Sequence, residues 1–210
     1  NPMVKMKVTM QGEEVINLLW DVIAARGFEK DMYFESATRD IRMLPKLEGT
    51  AHVNMVLVIK FMESFLFDST EVPEVPHSDS PAEELFLFRQ GATTKGQDRV
   101  HFGAWKKNYG GSKIKNTRLL EKQIDLFCDF LKNSGPSPEQ QKDIDFMLTI
   151  GELFTVAAYG SLILEQAAHE KTDPDTLEEI FDFMVRDFGR HALTLYQKKS
   201  ASENQQKLLL

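Results

Sequence analysis

The stretch from residue 50 to residue 67 constrains the fold more than any other part of the sequence. Its residues are apolar on nearly every face of a helical projection, and the only interruptions are His52, Asn54, Lys60, Glu63 and Ser64. The β-branched run around Val58 also suits a buried strand, but eighteen residues without Gly or Pro favour a helix. A helix that is apolar on most sides is usually buried on most sides. We therefore expect it at the centre of a helical bundle or beneath another subunit.

Amphipathic helical patterns account for most of the remaining sequence. They predict further helices over residues 4–25, 31–42, 115–132, 137–170 and from residue 173 onward. Gly27 is predicted to stop the first of these as a C′ glycine, and Pro45 to end the second. Two N-caps are predicted, Ser137 and Asp173, and each is followed directly by Pro. Gln140 is expected to complete a capping box with Ser137. Short connections between the last three helices make them antiparallel neighbours.

The sequence therefore predicts an all-α chain, a helical bundle followed by an additional antiparallel helical bundle. An acidic segment rich in Pro and Ser begins after Asp68 and marks the best internal boundary. The expected divisions are residues 1–68, a linker over 69–81, a helical extension over 82–199 and a frayed tail over 200–210. Within the extension we expect a short helix over 81–88, a loop over 91–97 and a turn or two of helix over 99–107.

Composition argues against several classes of protein. The net charge of −7 and the lack of a basic run argue against a nucleic-acid binder. The single cysteine, Cys128, excludes a disulfide scaffold, fits a reducing compartment and is expected to be a core thiol. The five histidines are scattered without metal-ligand spacing, so no metal site is predicted.

The sequence also gives expectations about membranes and location. The longest apolar run, residues 55–59, is too short to cross a bilayer, and the first residues lack the apolar core of a signal peptide. We therefore expect no membrane span, and a cytoplasmic location, or the mitochondrial matrix in a eukaryote. Because the sequence does not begin with Met, we expect a piece of a longer chain.

Glu48 is the acidic residue in the most unusual local setting. It stands between Leu47 and the Gly49-Thr50 pair, directly before the apolar helix. A carboxylate there has no partner at helical spacing, and between Leu47 and Gly49 we expect it to lose solvent, which would make it a stronger base. Thr50 is a good N-cap for the helix that follows. The alternative interpretation is that Glu48 is an ordinary acid of the capping turn, favoured by the helix dipole.

The spacing around Glu48 resembles a known family signature. Gly27-Phe28, ten residues, Arg39-Asp40, seven residues and Glu48-Gly49-Thr50 follow one another in that order. This arrangement is similar to the C-terminal signature of the acyl-CoA dehydrogenases, in which a glycine-rich turn, a helix, Arg-Asp and Glu-Gly-Thr precede an apolar helix. The resemblance covers the first third of the chain. The helical region that follows it resembles the extension of very-long-chain members.

The resemblance implies an FAD-dependent reaction on an acyl-CoA substrate. Glu48 would be the base that removes the α-proton of the thioester, while the β-hydride passes to N5 of the flavin. Gly27, Gly49 and Thr50 would contact the cofactor. The family also implies an electron-transfer flavoprotein or similar acceptor, and a homodimer or homotetramer. Its N-terminal helical domain and middle β-domain, which supply most of the flavin and CoA pockets, are not among these residues, so this fragment alone is expected to be inactive.

Two alternatives remain beside the dehydrogenase. The first is an acyl-CoA oxidase-like relative that reoxidises its flavin with O₂. The second is a non-catalytic helical module for oligomerisation or interaction that retains the family scaffold. The feature that favours the second is Ala24-Ala25, which stands where the family has a pair of glycines.

Overall fold

The computed structural model describes residues 2–70 and 102–209. The regular structure of these residues is helical, and its only β feature is an isolated parallel bridge between Ser69 and Phe102. The α-helices of the described ranges are α1 (Pro2–Ile23), α2 (Tyr33–Met43), α3 (Ala51–Ile59), α4 (Met62–Phe67), α5 (Trp105–Gly110), α6 (Lys115–Ser134), α7 (Ile144–Glu170), α8 (Pro174–Tyr196) and α9 (Glu203–Leu209). The all-α prediction is thereby confirmed for the described residues. The expected helix over 81–88, the loop over 91–97 and the linker beyond residue 70 lie outside them.

The three predicted helix caps are present, but Ser137 caps a short 3₁₀ turn and not α7. The Thr50 hydroxyl accepts from the Val53 backbone N–H, and the Asp173 carboxylate accepts from that of Thr176. Ser137 and Gln140 form the reciprocal pair of a capping box at 2.9 and 3.2 Å. That box opens a short 3₁₀ turn, Gln140–Lys142, and α7 begins only at Ile144 with Asp143 as its N-cap.

The first helix ends earlier than the sequence indicates. It stops at Ile23, and the chain continues as the 3₁₀ segment Ala24–Phe28. The left-handed residue at this end is Ala24, with φ 55°, so the prediction that Gly27 is the C′ glycine is wrong. Gly27 is required for a different reason, because a Cβ there would lie 2.7 Å from the Trp20 ring.

The predicted helix over residues 50–67 is two helices. It breaks at Lys60 and Phe61, between α3 and α4. Only one face of α3 is buried, at Asn54, Met55 and Val58. Val53, Val56 and Leu57 are exposed, so the expectation of burial on most sides does not hold within the described part of this chain.

Within residues 200–209, where a frayed tail was expected, Glu203–Leu209 form helix α9. Ser202 and Gln205 form a second capping box at its start. Gln205 is buried, and its amide bonds reciprocally with that of Gln140 at 2.9 Å. These paired amides therefore hold α9 against the 3₁₀ turn before α7. The polar residues of this region gave no indication of such a long-range contact.

Helix α7 forms the centre of the core. It packs against α8 on one side and against α3 on the other, and Leu66 and Val58 share one buried cluster with side chains of α6, α7 and α8. Two glycines of α7 allow neighbouring elements to approach closely: a Cβ on Gly151 would clash with the Met55 sulfur, and one on Gly160 would clash with the Tyr109 hydroxyl. The boundary between residues 1–68 and the extension stays a prediction.

Helix α7 is also the one helix of the described ranges long and apolar enough to cross a membrane by length and composition. Of its most apolar window, 61% is buried inside the protein. Core helices of soluble proteins pass the same criterion, so the expectation of no membrane span stays a prediction.

Candidate active-site loop

The loop of residues 47–50, called here the 47–50 loop, has an unusual backbone. Glu48 and Gly49 have φ values of 49° and 98°, so two consecutive residues lie on the left-handed side of the backbone map. Glycine adopts such values freely, whereas a non-glycine residue does so at a cost of about 1–2 kcal/mol. Strained conformations of this kind persist only where surrounding contacts impose them, and they concentrate at functional sites.

Side chains of two helices hold the loop. Lys5 of α1 donates from its Nζ to the backbone oxygens of Leu47 and Gly49, the second at 2.7 Å. Asn54 of α3 donates from its Nδ2 to the oxygens of Gly49 and Thr50 at 3.1 and 3.0 Å. The carbonyl groups are thus fixed from both sides, and the Glu48 backbone N–H donates to no acceptor within the described residues.

The loop leads directly into the N-terminus of α3. The Thr50 hydroxyl caps this helix through the Val53 N–H at 3.4 Å, which leaves other first-turn N–H groups without a helical acceptor. The positive end of the helix dipole therefore begins directly after the 47–50 loop. A site of this kind favours a ligand that is negatively charged or develops negative charge.

Glu48 itself is exposed to solvent, and among the described residues its carboxylate makes no ion pair or hydrogen bond. The expectation that local sequence alone would desolvate it is therefore wrong. Leu47 is also exposed and does not cover it. A dry environment for this carboxylate requires a ligand or further protein surface over the loop.

The other motif residues lie on neighbouring elements. Arg39 is on α2, exposed, and pairs with Glu35 at 3.2 Å. Gly27 is buried, with Phe34 and Trp20 packed around it, and Trp20 and Phe28 have ring centroids 4.0 Å apart. Arg39 and Phe28 border an open depression of about 610 Å³ between the 3₁₀ segment and α2. The sequence motif therefore maps to two places, this depression and the 47–50 loop, and of the site residues only Glu48, Gly49 and Thr50 lie together.

Sequence patterns did not reveal a second polar cluster, which lies where α1 meets α7 and α8. Lys7 is 7% exposed, and its Nζ lies 3.5 Å from Asp187, which also pairs with Arg190 at 3.0 Å. His191 Nε2 lies 3.8 Å from a Glu152 carboxylate oxygen. The one sequence signal for the burial of Lys7 was its position next to Met6, an apolar residue that is also buried.

Burial sets the charge states in this cluster. It lowers the pKa of His191 to about 4, with Lys7 and Arg190 adding to the effect, so the imidazole is neutral at pH 7. Burial also raises the pKa of Glu152. The contact between these two side chains is therefore not an ion pair at neutral pH. Nε2 of His191 is buried without a hydrogen-bond partner in the described part of the chain.

Cys128 is a buried free thiol on α6, as predicted. Burial raises its pKa to about 11, which makes it a poor nucleophile at neutral pH. In the ranges that the structure covers, no group of three or more His, Cys, Asp or Glu side chains is arranged to hold a metal ion. Comparison of the chain with models of known families, with curated proteins and with solved structures finds no match.

Proposed function

We propose that the chain is the C-terminal helical part of an FAD-dependent acyl-CoA dehydrogenase, with Glu48 as the base. The observation that carries this proposal is the conformation of Glu48. The acid of the Glu-Gly-Thr signature is held in a strained left-handed turn, without a partner among the described residues, at the start of α3. An ordinary acid of a capping turn needs neither the strain nor the fixed carbonyl groups beside it.

The chemistry follows from what the 47–50 loop can offer. The Glu48 carboxylate takes the α-proton of the acyl thioester, and an α,β-unsaturated thioester is left when the β-hydride departs. Negative charge develops on the thioester oxygen as the proton leaves, and the Glu48 backbone N–H is available to donate to it. FAD, when bound, supplies the hydride acceptor. Closure of substrate and cofactor over the loop would remove the solvent that now surrounds Glu48 and strengthen it as a base.

The residues beside Glu48 fit one edge of a flavin site. Among the described residues, only the Asn54 and Val53 side chains lie near the position of a Cβ on Gly49, at 3.6 and 3.9 Å, so a ligand can approach this backbone. Thr50 is the N-cap of α3, so the positive end of that helix begins at the next residue. Gly27 is buried, and the lack of a side chain there leaves room for the Trp20 ring.

The test uses Glu48→Gln in the purified full-length protein loaded with FAD. We expect the fold and the flavin spectrum to be retained, and bleaching of the flavin by an acyl-CoA to slow by about 10²–10⁴-fold, the usual effect of losing a general base. Glu63→Gln, which changes an exposed carboxylate on α4, is the matched control and should bleach at the parental rate. Bleaching of the Glu48→Gln protein at the parental rate would remove Glu48 from the mechanism.

A non-catalytic module for assembly is the second candidate. The observation in its favour is that most of the exposed large apolar side chains of the described residues lie in the first 68 residues, including Val8, Leu18 and Val22 on α1. Ala24, in place of a family glycine, also has the left-handed conformation of that corner. A colourless full-length protein that takes up no added FAD but forms a stable oligomer in light scattering would support the module and exclude the enzyme.

A further inference from the structure

Asn54 is the buried polar residue of α3, and its side-chain amide binds the 47–50 loop. It is 7% exposed, and its Nδ2 donates to the backbone oxygens of Gly49 and Thr50 at 3.1 and 3.0 Å. Because both partners are carbonyl oxygens, only the NH₂ group of the amide can face them. Burial of an amide is unfavourable unless such bonds are made, so the amide and the loop hold each other in one arrangement.

These hydrogen bonds act on the backbone directly after Glu48. The Gly49 oxygen accepts from Asn54 and also from Lys5 Nζ, the latter at 2.7 Å. If Glu48 left its φ of 49°, the Gly49 carbonyl group would turn away from both donors. Lys5 is half-buried and has a long, flexible side chain, whereas Asn54 is short and buried, so Asn54 is the more rigid donor. The direction of the Glu48 side chain therefore depends on Asn54.

The position of Asn54 depends in turn on α7. The next residue, Met55, is 2% exposed, its sulfur occupies the space over Gly151, and Thr155 Oγ1 donates to that sulfur at 3.8 Å. Ile59, one turn further along α3, lies over the same glycine, 2.9 Å from the position of a Cβ. Because α3 is a regular helix, a shift at these two contacts moves Asn54 as well. Helix α7 therefore determines where the amide meets the loop.

We infer that Asn54 is a positioning residue for Glu48 and that α7 holds it in place through the contact of Met55 with Gly151. The inference rests on the proposed role of Glu48 as the base. Asn54 transfers no proton, and its amide acts by fixing the carbonyl groups that direct the Glu48 carboxylate. A misplacement of about 1 Å at a reacting group costs up to about 10²-fold in rate, so a small shift of α3 is measurable. Helix α7 then contributes to the proposed reaction from within the core.

The first variant is Asn54→Leu in the full-length protein loaded with FAD. Leucine has nearly the same size and no amide, so flavin bleaching by the acyl-CoA that bleaches the parent fastest should slow by about 10–100-fold. The dissociation constant of that acyl-CoA should stay within about threefold, because Asn54 holds the base and not the substrate. The matched control is Thr149→Val, which removes another buried hydrogen bond, from the Thr149 hydroxyl to the Asp145 backbone oxygen, and should bleach at the parental rate.

A second pair of variants separates the contact with α3 from the stability of α7. Gly151→Ala places a methyl group against Met55 and Ile59 and should slow bleaching by roughly tenfold. Gly160→Ala makes the same exchange where the methyl group meets Tyr109 of α5, and it should bleach at the parental rate. Met55→Val, added to Gly151→Ala, removes the sulfur and should restore the rate to within about threefold of the parent. Urea unfolding checks that each variant is folded.

Crystal structures of the parent and of the Asn54→Leu protein, both without FAD, give a readout that does not depend on catalysis. Glu48 should keep its left-handed φ in the parent and leave it in the variant. An unchanged φ in the variant would overturn the inference, as would bleaching of the Asn54→Leu protein at the parental rate or equal slowing by the two glycine variants. These results leave Glu48 as the base, whereas a parent that is bleached by no saturated acyl-CoA overturns the proposed function and the inference together.

Discussion

At the scale of single residues, Glu48 combines an unfavourable backbone conformation with a carboxylate that has no partner in the described part of the chain. Lys5 and Asn54 hold the carbonyl groups around it, and their hydrogen bonds maintain a φ of 49° that a Glu residue avoids in a free chain. Stability and the proposed chemistry therefore make opposite demands on this position. Residues selected for stability alone at such a site are Gly or Asn.

This conflict predicts that Glu48→Gly stabilises the protein. The gain should be up to about 1 kcal/mol, the difference between the cost of the left-handed conformation and the greater flexibility of glycine when unfolded. Glu63→Gly, the same exchange on α4, should instead destabilise by about 0.5–1 kcal/mol. Urea unfolding of both variants measures the free energies. Equal destabilisation by the two would show that residue 48 is not left-handed in solution.

Sequence reasoning at this scale succeeded where the determinant is local. Thr50 and Asp173 cap helices because their hydroxyl or carboxylate reaches an N–H group three residues further along the chain. The requirement for glycine at position 27 depends on Trp20, and the conformation of Glu48 depends on Lys5, so neither follows from neighbouring residues. The motif spacing could identify Glu48 as a candidate without indicating its solvent exposure.

At the scale of elements, α7 approaches its neighbours through positions without side chains. Tyr109 of α5 is completely buried, and its hydroxyl donates to the backbone oxygen of Ala157 at 2.7 Å, directly over Gly160. Which residues approach these glycines could not be predicted from the sequence. The break between α3 and α4 after Ile59 could not be predicted either, because residues 50–67 contain no Gly or Pro that would indicate it.

Two glycines on adjacent helices should therefore respond in opposite directions to alanine. Gly160→Ala should destabilise by about 1–3 kcal/mol, because its Cβ would displace the Tyr109 hydroxyl from Ala157. Gly189→Ala should stabilise by up to about 1 kcal/mol, because it gains helix propensity without a clash. Midpoints of urea unfolding measure both effects. A gain in stability at Gly160 would contradict the packing of α5 on α7.

At the scale of the whole molecule, α1 joins the rest of the protein through partly buried charges as well as apolar contacts. Lys7 reaches Asp187 on α8, and His191 lies within the same cluster, next to Glu152 of α7. Groups from both ends of the chain therefore share one environment. Helical periodicity cannot predict long-range pairs of this kind. It indicates which face of a helix is buried, but it does not indicate which other helix packs against that face.

His191 makes the free energy of unfolding dependent on pH. Its pKa is about 4 in the folded protein and near 6.5 when unfolded, so the unfolded chain binds more protons between these values. The free energy of unfolding should fall by roughly 1–3 kcal/mol through this group as the pH drops from 6.5 toward 4. The raised pKa of Glu152 acts in the opposite direction, because its proton is favoured in the fold.

The effect of His191 can be isolated by substitution. The His191→Leu protein should lose most of the decline in unfolding free energy between pH 6.5 and pH 4. His52→Leu, which removes an exposed imidazole on α3, is the control and should keep the parental dependence. Urea unfolding at several pH values gives the slopes. A parental slope in the His191→Leu protein would show that this imidazole is not buried as a neutral group.

The contact between Met55 and Gly151 also limits how this sequence can change over evolution. The sulfur of Met55 occupies the volume that any side chain at residue 151 would need. A larger residue at either position becomes acceptable only after a compensating change at the other, about a hundred residues away. The segment that carries the Glu-Gly-Thr motif and the helical extension are therefore expected to vary together rather than as exchangeable modules.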